Sequence, residues 1–90
     1  DAERIDELEV AVDSYRDGAM QRLKSAVPRL SERDYRVALY SFAGFSNRAI
    51  ALFVDSDPVA VSKIKYNIKS KLKGVEAADC EQLIALLSDK

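Results

Sequence analysis

The sequence contains no histidine, no tryptophan and a single cysteine, Cys80. Without histidine, the commonest general base and a common metal ligand are missing, and Cys80 has no imidazole partner that would activate it as a nucleophile. One cysteine cannot form an internal disulfide, so we expect a reducing compartment. These absences argue against a transition-metal site, and a small, partly buried thiol is the favoured role for Cys80.

Glycine and long apolar runs are also scarce. The three glycines are Gly18, Gly44 and Gly74, and they form no phosphate-binding loop. No apolar run approaches the ~20 residues that a bilayer-spanning helix needs, and no signal peptide opens the chain. We therefore expect a cytoplasmic protein that is not an enzyme and has no cofactor or small-molecule substrate. The chain begins with Asp1 and not with methionine, so we expect a fragment of a longer protein, whose membrane anchoring stays open.

What the chain does contain is helical periodicity. Its 90 residues, 48% hydrophobic and 32% charged, are typical of a globular domain. From residue 3 to residue 27, apolar side chains recur every three or four positions and predict one long helix that Pro28 ends. We expect this segment, 1–28, either to pack on its own domain or to act as a connector or dimer helix. The apolar positions are Ile5, Leu8, Val12, Tyr15, Ala19, Leu23 and Val27.

Capping residues predict four shorter helices in the remainder, so that the predicted fold class is all-α. Ser31 and Ser46 are N-cap residues, and Gly44 stands where a left-handed residue would end a helix. Asp57 followed by Pro58 is a strong start signal, since proline is favoured at the first helical position. The predicted helices are 32–43, 47–54, 58–73 and 79–88.

The net charge of −1 hides an uneven distribution of charge. Residues 1–34 hold nine acids and six bases, whereas residues 58–74 hold five lysines and no acid. Local charge matters more than the total, because salt screens each charge beyond about 8–10 Å. With Val61, Ile64, Ile68 and Leu72 turned inward, a polar set faces outward or flanks that seam. This set is Ser62, Lys63, Tyr66, Asn67, Lys69, Ser70 and Lys73.

Side chains of these types bind nucleic acid: lysine contacts phosphate and guanine, asparagine contacts adenine, and serine contacts either phosphate or base. A lysine-rich helix face that is merely solvated is the alternative. The short helix and the turn 55–57 that precede residue 58 favour binding, because a short helix, a tight turn and a basic helix form a helix-turn-helix. The predicted partner is double-stranded DNA.

The same residues carry a family resemblance. Leu30-Ser31, Arg33-Asp34 and Val37 open the matching stretch, Gly44, Ser46-Asn47-Arg48 and Ile50-Ala51 are its most specific part, and Val61, Asn67-Ile68 and Lys71-Leu72 follow in the basic helix. Over residues 30–73 the chain resembles the DNA-binding domain of LuxR/FixJ/GerE-type transcriptional regulators.

The resemblance implies a four-helix helix-turn-helix domain over 29–90, following the long N-terminal helix, as the output domain of a transcriptional regulator. It places the usual DNA contacts at Ser62, Lys63, Tyr66, Asn67 and Ser70. It also implies a homodimer, for which Leu83, Ile84 and Leu87 of the last helix are the candidate contacts. A weaker resemblance, to regulators in which tetratricopeptide repeats precede such a domain, implies an upstream sensor or repeat domain as a further partner.

Three positions depart from the family pattern. Ala60 stands where a threonine is usual, Ser56 replaces a small apolar residue, and Asp57 replaces serine or threonine. Asp55 and Asp57 also place negative charge where the helix would approach a phosphate. Capping accounts for Asp57, but the sequence gives no reason for Asp55. The alternatives are a degenerate helix-turn-helix that binds protein or dimerises, and a module like those of sigma factors.

Overall fold

A computed structural model describes residues 2–75 and 79–88, and all regular secondary structure in these ranges is α-helical. The all-α prediction is therefore confirmed. Within these ranges no helix combines the length and the apolar character needed to cross a membrane. The helices are α1 (Ala2–Tyr15), α2 (Ala19–Ala26), α3 (Glu32–Phe42), α4 (Asn47–Phe53), α5 (Pro58–Lys73) and α6 (Asp79–Leu87). The last four end within one residue of their predicted bounds.

The single helix predicted over residues 3–27 is wrong, because the chain turns a corner between α1 and α2. Asp17 and Gly18 have φ angles of 54° and 70°, in the left-handed region where a right-handed helix cannot continue. The carboxylate of Asp13 accepts a 2.7 Å hydrogen bond from the backbone N–H of Met20 and so satisfies a free donor at the start of α2. Apolar spacing continues across the corner because both helices face one core.

Two arginines hold this corner against the rest of the domain. The guanidinium of Arg22 donates to the carbonyls of Arg16 and Asp17, at 3.0 and 3.1 Å, and to Oε1 of Gln82 in α6, at 2.6 Å. The side chain of Arg16 donates to the carbonyl of Phe42 at the end of α3, at 3.1 Å. The first two helices are therefore joined to both α3 and α6.

The buried residues form two clusters, and α5 contributes to both. The main core combines side chains of α1, α2, α3, α5 and α6, while a smaller cluster joins α3, α4 and α5. Ile64 of α5 packs against both clusters. Cys80 is 4% exposed and belongs to the main core. The smaller cluster consists of Val37, Ile50, Ala51 and Val61.

A polar contact of three side chains joins α1, α2 and α3. Glu9 accepts a hydrogen bond of 2.8 Å from the hydroxyl of Tyr35 and forms an ion pair of 2.6 Å with Lys24. Burial disfavours the carboxylate, but these hydrogen bonds and the charge of Lys24 outweigh it, so the pKa of Glu9 is lowered from 4.5. Burial and the bond to Glu9 raise the pKa of Tyr35 well above its usual 10.

We expect the Glu9 contact to make stability depend on pH in the acid range. Because its folded pKa lies below its unfolded value, the contribution is present above about pH 4.5 and is lost as the pH falls through the folded pKa. Glu9→Gln should lower the free energy of unfolding at neutral pH by about 1–2 kcal/mol. It should also reduce the loss of stability that occurs as the pH falls. Urea unfolding across the acid range measures both effects, with Glu7→Gln on the exposed side of α1 as the control. If Glu9→Gln left the pH dependence of the free energy of unfolding unchanged, the Glu9 contact would not be its source.

Candidate nucleic-acid interface

The corner between α3 and α4 is fixed by a helix-ending hydrogen-bond motif. Gly44 has a φ of 100°, in the left-handed region that favours glycine, as predicted. The N–H groups of Phe45 and Gly44 donate to the carbonyls of Tyr40 and Ser41, at 3.1 and 3.0 Å, which is the Schellman pattern. The ring of Phe45 also packs against those of Tyr40 and Phe53, with centroids 6.0 and 5.1 Å away. These hydrogen bonds and ring contacts therefore fix the direction in which α4 leaves the end of α3.

The end of α4 repeats this motif with an aspartate in the left-handed position. Asp55 has a φ of 53°. The N–H of Ser56 donates to the carbonyl of Ala51 at 2.8 Å, and that of Asp55 donates to Leu52 at 3.4 Å. Aspartate and asparagine are the residues other than glycine that occasionally adopt this conformation, because their short polar side chains can form local hydrogen bonds. The chain reversal between α4 and α5 thus supplies the reason for Asp55 that sequence reasoning missed.

The turn leads directly into α5. The carboxylate of Asp57 accepts a 2.9 Å hydrogen bond from the backbone N–H of Ala60, and Pro58 is the first helical residue, as predicted. From α3, the guanidinium of Arg33 donates to the hydroxyl of Ser56 at 2.6 Å. The turn is held from three directions: by the end of α4, by its own cap and by α3.

Periodicity of α5 separates an inner seam from an outer face. The buried residues of the seam are Val61, Lys65, Ile68 and Leu72. Lys65 is only 4% exposed, so one of the five lysines that make this segment cationic does not reach the surface. Lys63, Lys71 and Lys73 are exposed and Lys69 is half-buried. The outer face of α5 consists of Val59, Ser62, Lys63, Tyr66, Asn67, Lys69, Ser70 and Lys73.

All seven residues predicted as DNA contacts lie on this outer face or at its edge. Five of them, together with Val59, line one shallow depression, and Ser70 and Lys73 continue the exposed surface towards the end of the helix. Val59 is 65% exposed and was not among the predicted contacts. Val59 lies four residues before Lys63, and this helical spacing in the sequence already places both on one face of α5. The five predicted residues in the depression are Ser62, Lys63, Tyr66, Asn67 and Lys69.

Ser62 has a structural contact within this set. Its hydroxyl oxygen accepts a 3.0 Å hydrogen bond from the side-chain amide of Asn47 in α4, and both residues are half-buried. A hydroxyl that accepts one bond can still donate its own proton to a further acceptor. Ser62 therefore joins α4 to α5 and keeps one donor for a ligand.

The candidate dimer contacts lie elsewhere, on α6. Leu83 and Leu87 are fully buried in the main core of the single chain, and Ile84 is half-buried against it. Of these three side chains, only that of Ile84 exposes part of its apolar surface to solvent. Their role in a dimer stays a prediction.

Comparison with protein-family models, curated proteins and solved structures gives no match to the chain. In the part of the chain that the structure describes, no group of acidic, cysteine or histidine side chains is placed to hold a metal ion. The features that suggest a function are α4, the turn and α5. The surface of α5 carries cationic, amide and hydroxyl groups.

The two aspartates of the turn permit a direct test of this surface. Asp57→Ser keeps an N-cap of equal quality, and Asp55→Asn keeps a residue that tolerates positive φ, so melting temperatures should change little. Each change removes a negative charge beside α5. If this surface binds duplex DNA, the affinity should rise about two- to fivefold, as expected for an exposed charge contact. Fluorescence anisotropy with a labelled duplex measures the change.

The matched control is Asp17→Asn, because Asp17 is also exposed and left-handed, with a φ of 54°, but lies at the corner between α1 and α2. It should leave DNA affinity unchanged. Equal gains from Asp17→Asn and Asp55→Asn would mean that only net charge matters. No gain from either turn variant would contradict an approach of phosphate to this turn.

Proposed function

We propose that the chain binds duplex DNA through the outer face of α5 and forms the output domain of a transcriptional regulator. The observation that carries this proposal is the composition of the outer face. It presents lysine, asparagine, serine and tyrosine, with no carboxylate on the helix, at the end of a tightly held turn. A cationic helix on a fixed turn is what insertion into a major groove requires.

The dimensions and the chemistry agree with this proposal. A major groove about 12 Å wide admits one α-helix, whose first turns reach the base edges while residues further along contact the backbone. Lys63 and Asn67 are both exposed, and their side chains are those that pair with guanine and adenine. Ser70 and Lys73 follow on the same face, where they would contact phosphates. Base-edge recognition is thus proposed for Lys63 and Asn67, and phosphate contact for Ser70 and Lys73.

In this proposal α3–α6 form the four-helix arrangement of LuxR/FixJ/GerE-type domains, which the motifs of residues 30–73 resemble. Helices α1 and α2 share the main core with α3, α5 and α6, so they would brace this domain from behind. An upstream sensor or repeat domain would connect through α1. Dimerisation on DNA, the remaining part of the resemblance, belongs to the proposal as well.

One observation favours a second candidate function, the binding of another protein. Leu52 is 82% exposed, and the neighbouring aromatic residues Phe45 and Phe53 are 42% and 46% exposed. Apolar side chains grouped on a surface often mark a site of protein interaction. A degenerate helix-turn-helix would use this corner and not the outer face of α5.

The salt dependence of duplex binding tests the proposed function. If Lys69, Lys71 and Lys73 neutralise three phosphates while Lys63 contacts a base, log affinity should fall against log salt with a slope of about −2.7. Between 50 and 200 mM salt this corresponds to a loss of roughly fortyfold. Replacing Lys71 and Lys73 by alanine together should reduce the slope by about 1.8.

The control variant is Arg4→Ala, which removes an exposed positive charge from α1 and should leave the slope unchanged. An absence of duplex binding at 50 mM salt would contradict DNA binding and favour the protein-binding alternative. A slope that Lys71→Ala and Lys73→Ala together do not alter would exclude α5 as the binding element.

A further inference from the structure

Val59 is an aliphatic side chain that the fold leaves in water. It is the second residue of α5 and is 65% exposed. The other valine, isoleucine and leucine residues of α5 are all used by the two clusters: Val61, Ile68 and Leu72 are fully buried, and Ile64 is partly buried between them. Packing within the domain therefore does not account for Val59.

The position of Val59 relates it to the proposed base contacts. It lines the same shallow depression as Lys63, Tyr66 and Asn67, and Tyr66 is 64% exposed. With a rise of 1.5 Å per residue, Val59 and Tyr66 lie about 10 Å apart along the helix axis. In a helix-turn-helix, the residues at the start of the recognition helix are the ones that meet base edges. Val59 lies at that start.

The chemistry of the side chain restricts what it can recognise. Valine has no donor or acceptor, so it gains free energy only by removing apolar surface from water. Among the groups that the four base pairs present in the major groove, the C5-methyl of thymine is the apolar one. A valine at the base-edge end of the helix is therefore complementary to thymine.

We propose that Val59 is a specificity-determining residue that contacts the C5-methyl group of a thymine in the major groove. The inference depends on the proposed function, because it requires α5 to lie in that groove. An apolar surface of another protein would also cover Val59. Asp57 caps the helix two residues before Val59, but Lys63 and Lys69 line the same depression and α5 itself carries no acid. This cationic lining favours a polyanionic partner over such a surface.

Duplexes that differ only in the methyl group test this proposal. Affinity is measured by anisotropy competition with alternating poly(dA-dT) and with poly(dA-dU), which lacks the C5-methyl. The unaltered protein should prefer poly(dA-dT) about fourfold, the factor expected when one methyl group is buried. Val59→Ala should lose the preference, and Val59→Thr, which keeps one of the two methyl groups, should retain part of it. Leu52→Ala, which shortens an exposed apolar side chain of α4, should leave the preference intact.

A second pair of duplexes separates the methyl group from the identity of the base. Poly(dI-dC) and its 5-methylcytosine counterpart differ by the same group on a different pyrimidine, and the preference should follow the methyl group. It should again disappear in Val59→Ala. A protein that prefers poly(dA-dT) over poly(dA-dU) and yet binds poly(dI-dC) and its methylated counterpart equally would give a different answer. This result would assign the preference to DNA flexibility and overturn the role of Val59.

Three other results have distinct meanings. Equal binding of methylated and unmethylated duplexes would overturn the inference and leave DNA binding in place. A full preference that persists in Val59→Ala would overturn it as well, because another side chain would then read the methyl group. Failure to bind any of the four polymers at 50 mM salt would overturn both the inference and the proposed function.

Discussion

The burial of one side of α5 is the constraint on which the rest of the domain depends. Its seam contributes Ile68 and Leu72 to the main core and Val61 to the smaller cluster, with Ile64 in contact with both. Rotation of α5 about its axis would expose several fully buried aliphatic side chains, each worth about 1.5–3 kcal/mol. The outer face is therefore held at a fixed orientation by hydrophobic packing. A recognition helix needs that rigidity, because base contacts tolerate little displacement.

The helices from residue 32 onwards were predictable because their ends carry specific caps. Ser31, Ser46 and Asp57 each accept the hydrogen bond expected of an N-cap, and Gly44 adopts the left-handed conformation. The corner at residues 16–18 was missed because hydrophobic periodicity records which side chains are buried and not whether the helix axis is continuous. Gly18 was the available signal, since glycine adopts positive φ at no steric cost and weakens a helix interior, and Asp17 before it was a weaker one.

The outer face was predictable from the seam, but the burial of Lys65 and the exposure of Val59 were not. Lys65 lies four residues after Val61 and three before Ile68, so helical spacing places it on the seam despite its charge. Val59 is the converse case: it is apolar, yet its spacing of four residues from Lys63 places it on the outer face. Residue type and helical position favour opposite placements for these two residues, and position decides.

The two aspartates beside α5 have structural roles that explain their presence near a proposed anion-binding surface. Asp55 adopts the left-handed conformation that reverses the chain, and Asp57 caps the helix. Asparagine would serve either role without the charge, and serine would serve as the cap at position 57. If the outer face of α5 binds DNA, their negative charge lowers that affinity without being needed for the fold.

In the proposed function, the outer face of α5 is the surface that contacts DNA. Titration of the isotopically labelled protein with a short duplex, followed by amide chemical shifts, tests this contact residue by residue. We expect the largest shifts at Val59, Lys63, Asn67 and Ser70 and in the turn at Asp55–Asp57, with little change in α1. Shifts confined to the apolar corner at Phe45 and Phe53, or no shifts at low salt, would contradict it.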